Sequence, residues 1–443
     1  MFDPLFQWAG SLWQEIIDFV ATAEDLIATA LESYTAQQLI RSPHLDSSQR
    51  KLLIHRFVVE GEIEGKTPLE FFAERHPELT TRDRELITSW RRSFVGLLAI
   101  VQVFPNGLEV MNWLTAKHYR LQFADALSLA AIERLQVGDI ILAQISPIQG
   151  IDWLITSPWI SLGRLGRPKI AVAVGTFRQN YPHYLYADAP ELLAAAWESV
   201  TTYHDEFVSF FGSDEITLPG SKLQTKISEF QTWMLDRRLD AAGVDKSKSL
   251  DELALEAGID ATEIEQLNQT LGVPSDRDRA STTIDKMVAP KVELPPHLKQ
   301  AAAVTALSHP HWGQMFLPHY TKIGDLLAHL YSQPLTPEAT TLFQKCFADP
   351  QMNSFVWRKL AAEFPGQLET VIQQVYAEPN FNLSTDLDRF LTKFNKYLEP
   401  DLPEIASVPI HLHELFQEAV LAVSKDKAKS KTPPKKGGFG AKS

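Results

Sequence analysis

The chain has 443 residues, 44% of them hydrophobic and 22% charged, an ordinary globular composition with material for about two to four domains. Its one cysteine, Cys346, excludes an internal disulfide and a cysteine-rich zinc site. The net charge of −13 is uneven: residues 424–443 hold seven lysines against Asp426, a net +6, which leaves −19 on residues 1–423 and argues against broad non-specific binding of that body to nucleic acid or anionic lipid.

Asp3-Pro4 supplies an N-cap followed by proline at the first helical position, and Leu5, Trp8, Leu12, Ile16, Phe19 and Val20 recur at helical spacing. This end is aromatic, but its charges are Asp3, Glu15 and Asp18, with no cation to meet lipid headgroups, so packing into a core is expected. It has neither the positive region nor the cleavage site of a signal peptide, and no run approaches the length of a spanning helix. The expected compartment is the cytosol, with peripheral membrane contact as the further option. Helices are predicted on to about Ile40 and at 46–60, 68–76 and 80–94, giving a helical region over 1–95. Arg82, Arg84, Arg91 and Arg92 read as a solvated face balanced by neighbouring acids.

A small β module is expected over 96–182. Pro105-Asn106-Gly107 joins two strands as a hairpin, Tyr119–Phe123 alternates as a third, and Val137-Gly138-Asp139 opens the apolar run Ile140–Ala143. Residues 168–179 suit a strand or a helix started by Pro168. The stretch 135–175 is expected to be the hub against which the 80–94 and 190–235 helices pack. A helical region follows at 183–272, then a linker at 273–297. The region 298–423 is read as a helical domain with weak repeats: Leu342–Pro350 lines up with Val371–Pro379 at an offset of 29 residues, with a looser copy at Leu326–Pro334. Residues 424–443 form a low-complexity basic tail expected to be disordered. The fold class is therefore mainly α with a small central β module (α+β): helical bundles flank a barrel-like sheet, and a helical-hairpin region ends the body.

Few features carry chemistry. Ser249–Asn268 resembles the helix-turn-helix unit of bacterial DNA-binding proteins, yet its second helix offers Asp260, Glu263 and Glu265 where a groove reader needs positive charge. A protein-contacting or structural hairpin fits better. Gly163-Arg164-Leu165-Gly166 resembles the loop with which KH domains clamp a nucleic-acid backbone, although a basic β-turn is the simpler reading. Arg164, Arg167 and Lys169 are the polyanion candidates of the folded body. Lys435 and Lys436 are those of the tail, and Phe439 is a candidate docking group. Histidines at 309, 311, 319 and 329, near Asp325, and at 411 and 413 beside Glu414, sit in helical context where alternate residues diverge, so caps and surface positions are expected. No phosphate-loop, nucleophile-elbow or zinc-protease motif occurs. No catalytic residue, cofactor or metal is nominated.

Three segments, Ser89–Phe94, Val137–Ile141 and Lys436-Gly437-Gly438-Phe439-Gly440, together with the element order, resemble a family of uncharacterised cyanobacterial and plastid proteins. That resemblance implies a photosynthetic bacterial source and no particular activity. The first two segments are also similar to modules that precede SEC-C zinc motifs, whose cysteines this chain lacks. The sequence thus leads to a non-enzymatic adaptor or assembly protein working through protein partners. The alternative is an RNA- or DNA-associated factor using the 163–169 loop and the lysine-rich tail, which would touch RNA, ribosomes or an anionic membrane surface weakly.

Overall fold

The computed structural model describes residues 3–41, 46–123, 134–242, 292–330, 335–406, 411, 412 and 415. The hairpin expected at 249–268, most of the linker, the tail with Lys435, Lys436 and Phe439, and His413 and Glu414 lie outside them. Two compact units emerge, one of the described residues as far as Leu193 with 411, 412 and 415, the other of the described residues 194–242 and 292–406. Among the described residues, no helix is long and apolar enough to cross a membrane.

In the first unit, helices α1 (Pro4–Ala21), α2 (Leu26–Arg41), α3 (Ser47–Glu60), α4 (Pro68–Arg75) and α5 (Thr81–Ser89) come first, followed by a 3-10 turn over Trp90–Arg92. The Asp3 carboxylate accepts from the Leu5 amide to start α1, and capping boxes on Asp46, Thr67 and Thr80 start α3, α4 and α5. Their apolar faces meet around Phe6, Trp13, Ile16, Phe57, Phe72 and Trp90, so the aromatic N-terminus is core, as its charges imply.

Strand β1 (Phe94–Phe104) is long enough to serve two neighbours. Its first half pairs antiparallel with β4 (Asp139–Gln149), its second half with β2 (Gly107–Asn112), and a bulge between Ile100 and Gln102 bends it. Strand β3 (His118–Gln122) runs antiparallel to β2 and parallel to β5 (Asp152–Ile155), which returns to β4. The order β1-β2-β3-β5-β4-β1 closes a five-stranded barrel, with β6 (Ile160–Arg164) added outside on β4. This is the Greek-key order of small OB-type barrels. Leu97, Leu108, Leu121, Leu142 and Trp153 fill one continuous core.

Residues Arg167–Asn180 form a helix, α6, with Gly166 as N-cap and Pro168 in the first turn, where its missing N–H costs nothing. The Gly163–Lys169 segment is therefore a strand end running into a helix start, not a turn between two strands. Ile170, Ala171, Val174 and Phe177 of α6 belong to the barrel's apolar cluster.

Helix α7 (Pro190–Phe211) crosses into the second unit, and Gly212, at φ +75°, ends it. Strand β7 (Glu215–Leu218), helix α8 (Gly220–Ala242), a helical turn at Pro296–Lys299, and strands β8 (Val304–His309) and β9 (Gly313–Leu317) follow. Helices α9 (Tyr320–His329), α10 (Pro337–Ala348), α11 (Ser354–Glu363), α12 (Pro365–Val375) and α13 (Leu383–Lys393) complete it. The antiparallel sheet β7-β8-β9 was not expected within the helical reading of 298–423. Strand β8 is covered on both faces, with five of its six residues buried, so it carries no polar–apolar alternation to betray it.

One face of this sheet packs on Tyr203, Phe207, Leu223, Ile227 and Phe230 of α7 and α8. The other packs, through Leu307, Met315 and Leu317, on α9–α13. Those α7 and α8 residues form one core with this sheet, and in the first unit α5 packs on β4. The repeat falls on helices α10 and α12, whose matching residues Phe343, Cys346 and Phe347, and Ile372, Val375 and Tyr376, join one core.

Candidate functional site

On the outside of the barrel, four strands bring Gln102, Glu109, Arg120 and Asp152 side by side in register. The period-two alternation of β2 and β3 turns Leu108, Val110, Tyr119 and Leu121 inward and leaves these side chains outward. Arg120 lies over the Phe104 ring at 5.6 Å and 3.7 Å from the Asp152 carboxylate, while His118 Nδ1 is 3.0 Å from Glu109. Ile151, 72% exposed at the β4–β5 turn, adds apolar surface beside Asp152, whereas Val103 on β1 stands opposite the inward-facing Leu108. Elsewhere the barrel is clad: Ile148 and Leu154 pack into the N-terminal helical core. The β2–β3 face carries Glu109 and Asp152 against Arg120 and His118, so it holds no surplus of positive charge for a phosphate backbone.

The polyanion candidates of the folded body do not form one cluster of free cations. Arg164 donates to the Val137 carbonyl at 2.6 Å and approaches Asp139 at 3.9 Å, across the β4–β6 pairing. Arg167 and Lys169 stand in the first turn of α6, where the helix dipole disfavours cations. The four arginines at 82–92 all have structural partners. Arg82 covers Trp8, Arg84 donates to the Ala73 and His76 carbonyls, Arg91 approaches Glu70, and Arg92 pairs with Asp188.

Two buried polar arrays hold the first unit together. Arg56 of α3 pairs with Glu60 at 2.6 Å, Tyr34 of α2 donates to Glu60, and the Tyr181 ring lies 4.9 Å from the Arg56 guanidinium. Burial, aided by the Glu60 carboxylate, pushes the Tyr184 hydroxyl well above its ordinary range. In the second array, Ser93 donates to Ser146 at 2.7 Å, and Ser146 meets Thr156 at 2.8 Å. His55 accepts from Trp13 Nε1 at 3.0 Å, and burial holds its pKa down at about 4. An imidazole whose lone pair is already taken by an indole is a strut, not a general base.

The second unit places His204 of α7 beside Ser308, with His309 and His311 close by. His329 bonds the Asp325 carbonyl, and His411, in the first unit, lies 3.2 Å from the Trp113 carbonyl. Among the described residues, no three His, Cys, Asp or Glu side chains are arranged to hold a metal ion. Cys346 is fully buried, and burial raises its thiol to about 12, so it stays protonated. A groove between α11–α12 and α13 has a floor of Ala361, Ala362 and Gly366 and walls of Leu383 and Leu387. Glu369 closes its rim by accepting from the Leu383 amide at 2.7 Å.

Sequence reasoning missed Phe104, Glu109, Arg120 and Asp152. Alternation along β2 and β3 marks each strand's outward residues, but only the register across strands shows that they stand together. Comparison of the chain with protein-family models, with curated proteins and with solved structures finds no match.

Proposed function

We propose that this chain is a non-enzymatic adaptor or assembly factor acting through protein–protein contacts. The observation carrying that reading is the outer β2–β3 face, where Ile151, at the β4–β5 turn, stands exposed next to Asp152 of an ion-paired, charge-balanced ladder. Apolar groups beside already-paired charges suit a protein partner, because docking need not strip an unpaired charge of water. The α11–α13 groove, floored by small residues, is a second place for an apolar side chain of a partner. A reducing cytosol fits the single buried thiol, and a cyanobacterial source remains the implication of the sequence resemblance.

The test is affinity purification of the full chain from its native cell, with wild type and an Ile151→Asp variant compared at matched fold by circular dichroism. Loss of a stoichiometric partner from the variant alone supports the reading. Equal recovery by both, or a turnover-dependent product made by the purified chain, overturns it.

A second reading, an RNA- or DNA-associated factor, draws on one observation: the strand order of the barrel. Fold does not carry function with it, and the −19 body opposes phosphates. Filter binding at several salt concentrations, with and without residues 424–443, decides. Salt-dependent binding that survives loss of the tail would favour the barrel and the 163–169 segment, whereas no binding at low salt removes this reading.

A further inference from the structure

The turn between β8 and β9, His309-Pro310-His311-Trp312, is held by one side chain. His309 Nδ1 accepts from the His311 amide at 3.0 Å and from the Trp312 amide at 3.2 Å. Both bonds need the lone pair of a neutral imidazole. The His309 ring rests against Phe355 of α11 at 4.1 Å and lies 6.2 Å from the His311 ring, which faces Trp197 of α7 at 6.0 Å. His204, from α7, sits next door with its Nδ1 3.2 Å from Ser308 Oγ. The charged groups acting on His309 are His204 from α7, His311 from its own turn, and Asp214, which precedes β7. Asp214 is itself 3.5 Å from Lys359 of α11, a lysine shared with Glu215, so its pull on a cationic His309 is divided.

We propose that His309 is an acid-released latch: the neutral ring pins the β8–β9 turn, and protonation at Nδ1 frees it. A proton on Nδ1 turns the shared acceptor into a donor, so both amide bonds are lost together. The new cation also faces His204 and His311, both of which disfavour charge on His309. Burial, with His204 and His311 adding to it, holds His309 at about 4, against 6.5 for an ordinary histidine. With the folded pKa depressed, the latch contributes fully above pH 6.5, and its contribution is lost as pH falls towards 4. One turn would thus let go while the closed barrel, which does not depend on this ring, keeps its pairing.

The experiment is hydrogen exchange by mass spectrometry on the full chain between pH 7 and pH 4, corrected for intrinsic exchange. A peptide spanning 304–317 is compared with one spanning 139–149. The expected result is loss of protection in 304–317 on acidification, while 139–149 stays protected. In His309→Asn the amide oxygen can accept from the same turn without titrating, and the acid-induced loss should disappear. His204→Gln removes a repelling neighbour and should move the release to higher pH, which supplies the decision if the first variant does not fold. Protection of 304–317 retained down to pH 4 overturns the proposal. So does loss in step with 139–149, an unchanged acid response in His309→Asn, or an unmoved midpoint in His204→Gln.

Discussion

The barrel and the three-stranded sheet solve the same problem differently. A closed sheet buries its apolar side within itself and has no need of helices on every side, so β2 and β3 can leave an outer face to solvent. The open sheet β7-β8-β9 has two apolar faces and must have helices on both, α7 and α8 on one and α9–α13 on the other. Closure is what frees a surface for other work. In the second unit both faces of the sheet are covered, which leaves the turns and the grooves between helices at the surface.

If that contrast is right, damage to the helices should strip the open sheet and spare the barrel. Trp357, fully buried on α11 against Phe343 and Phe347, is the severest place to try. Trp357→Ala is expected to cost about 3–5 kcal/mol in chemical denaturation. Hydrogen-exchange protection of β8 should fall with it, and β8 protection left at the wild-type level would break the contrast.

The matching change in the first unit is Glu60→Gln, which leaves the buried Arg56 without its counter-ion. It is expected to cost about 3 kcal/mol, because an uncompensated buried charge is costlier than the pair it came from. Exchange should rise in α2 and α3 more than in β1 and β4. Barrel amides that lose protection equally would show that closure does not suffice.

His55 sharpens the comparison through pH. Its folded pKa of about 4 lies below the usual 6.5, so the unfolded chain binds the proton first. Stability is therefore full above pH 6.5, falls as the pH drops towards 4, and declines by about 1 kcal/mol per pH unit in that window. His55→Gln should flatten the slope of denaturation free energy between pH 6.5 and 4, and an unchanged slope would assign the acid sensitivity elsewhere. The smallest effect on stability is expected at Arg120, an exposed ion pair on the open face. Arg120→Ala should shift stability by under about 0.5 kcal/mol, measured by thermal melting. A loss of several kcal/mol there would mean that the face is part of the barrel's support.

Much of the fold was legible in local pattern. Asp3-Pro4, the capping boxes and the Asn106-Gly107 turn are local chemistry, and α1, α3–α5 and the β1–β2 hairpin stand where they imply. Residues 168–179 could not be decided locally, because Ile170, Ala171, Val172 and Val174 suit a buried strand as well as a buried helix. Strand β8 was lost in a helical region because burial on both faces erased its alternation. Of the candidate site, Arg164 was visible as a cation but not as the partner of Val137 and Asp139, which lie some 25 residues away in sequence.

The sequence by itself therefore determined most N-terminal helices with their caps, the β1–β2 hairpin, the acidic body and the basic tail, all of which depend on residues a few positions apart. Only the tertiary structure decided that the strands close, that a second sheet exists, and that Gln102, Glu109, Arg120 and Asp152 stand in one row. It also decided that His204 reaches His309 across about a hundred residues. Register and closure are set by which distant strands share hydrogen bonds, and no local periodicity carries that information.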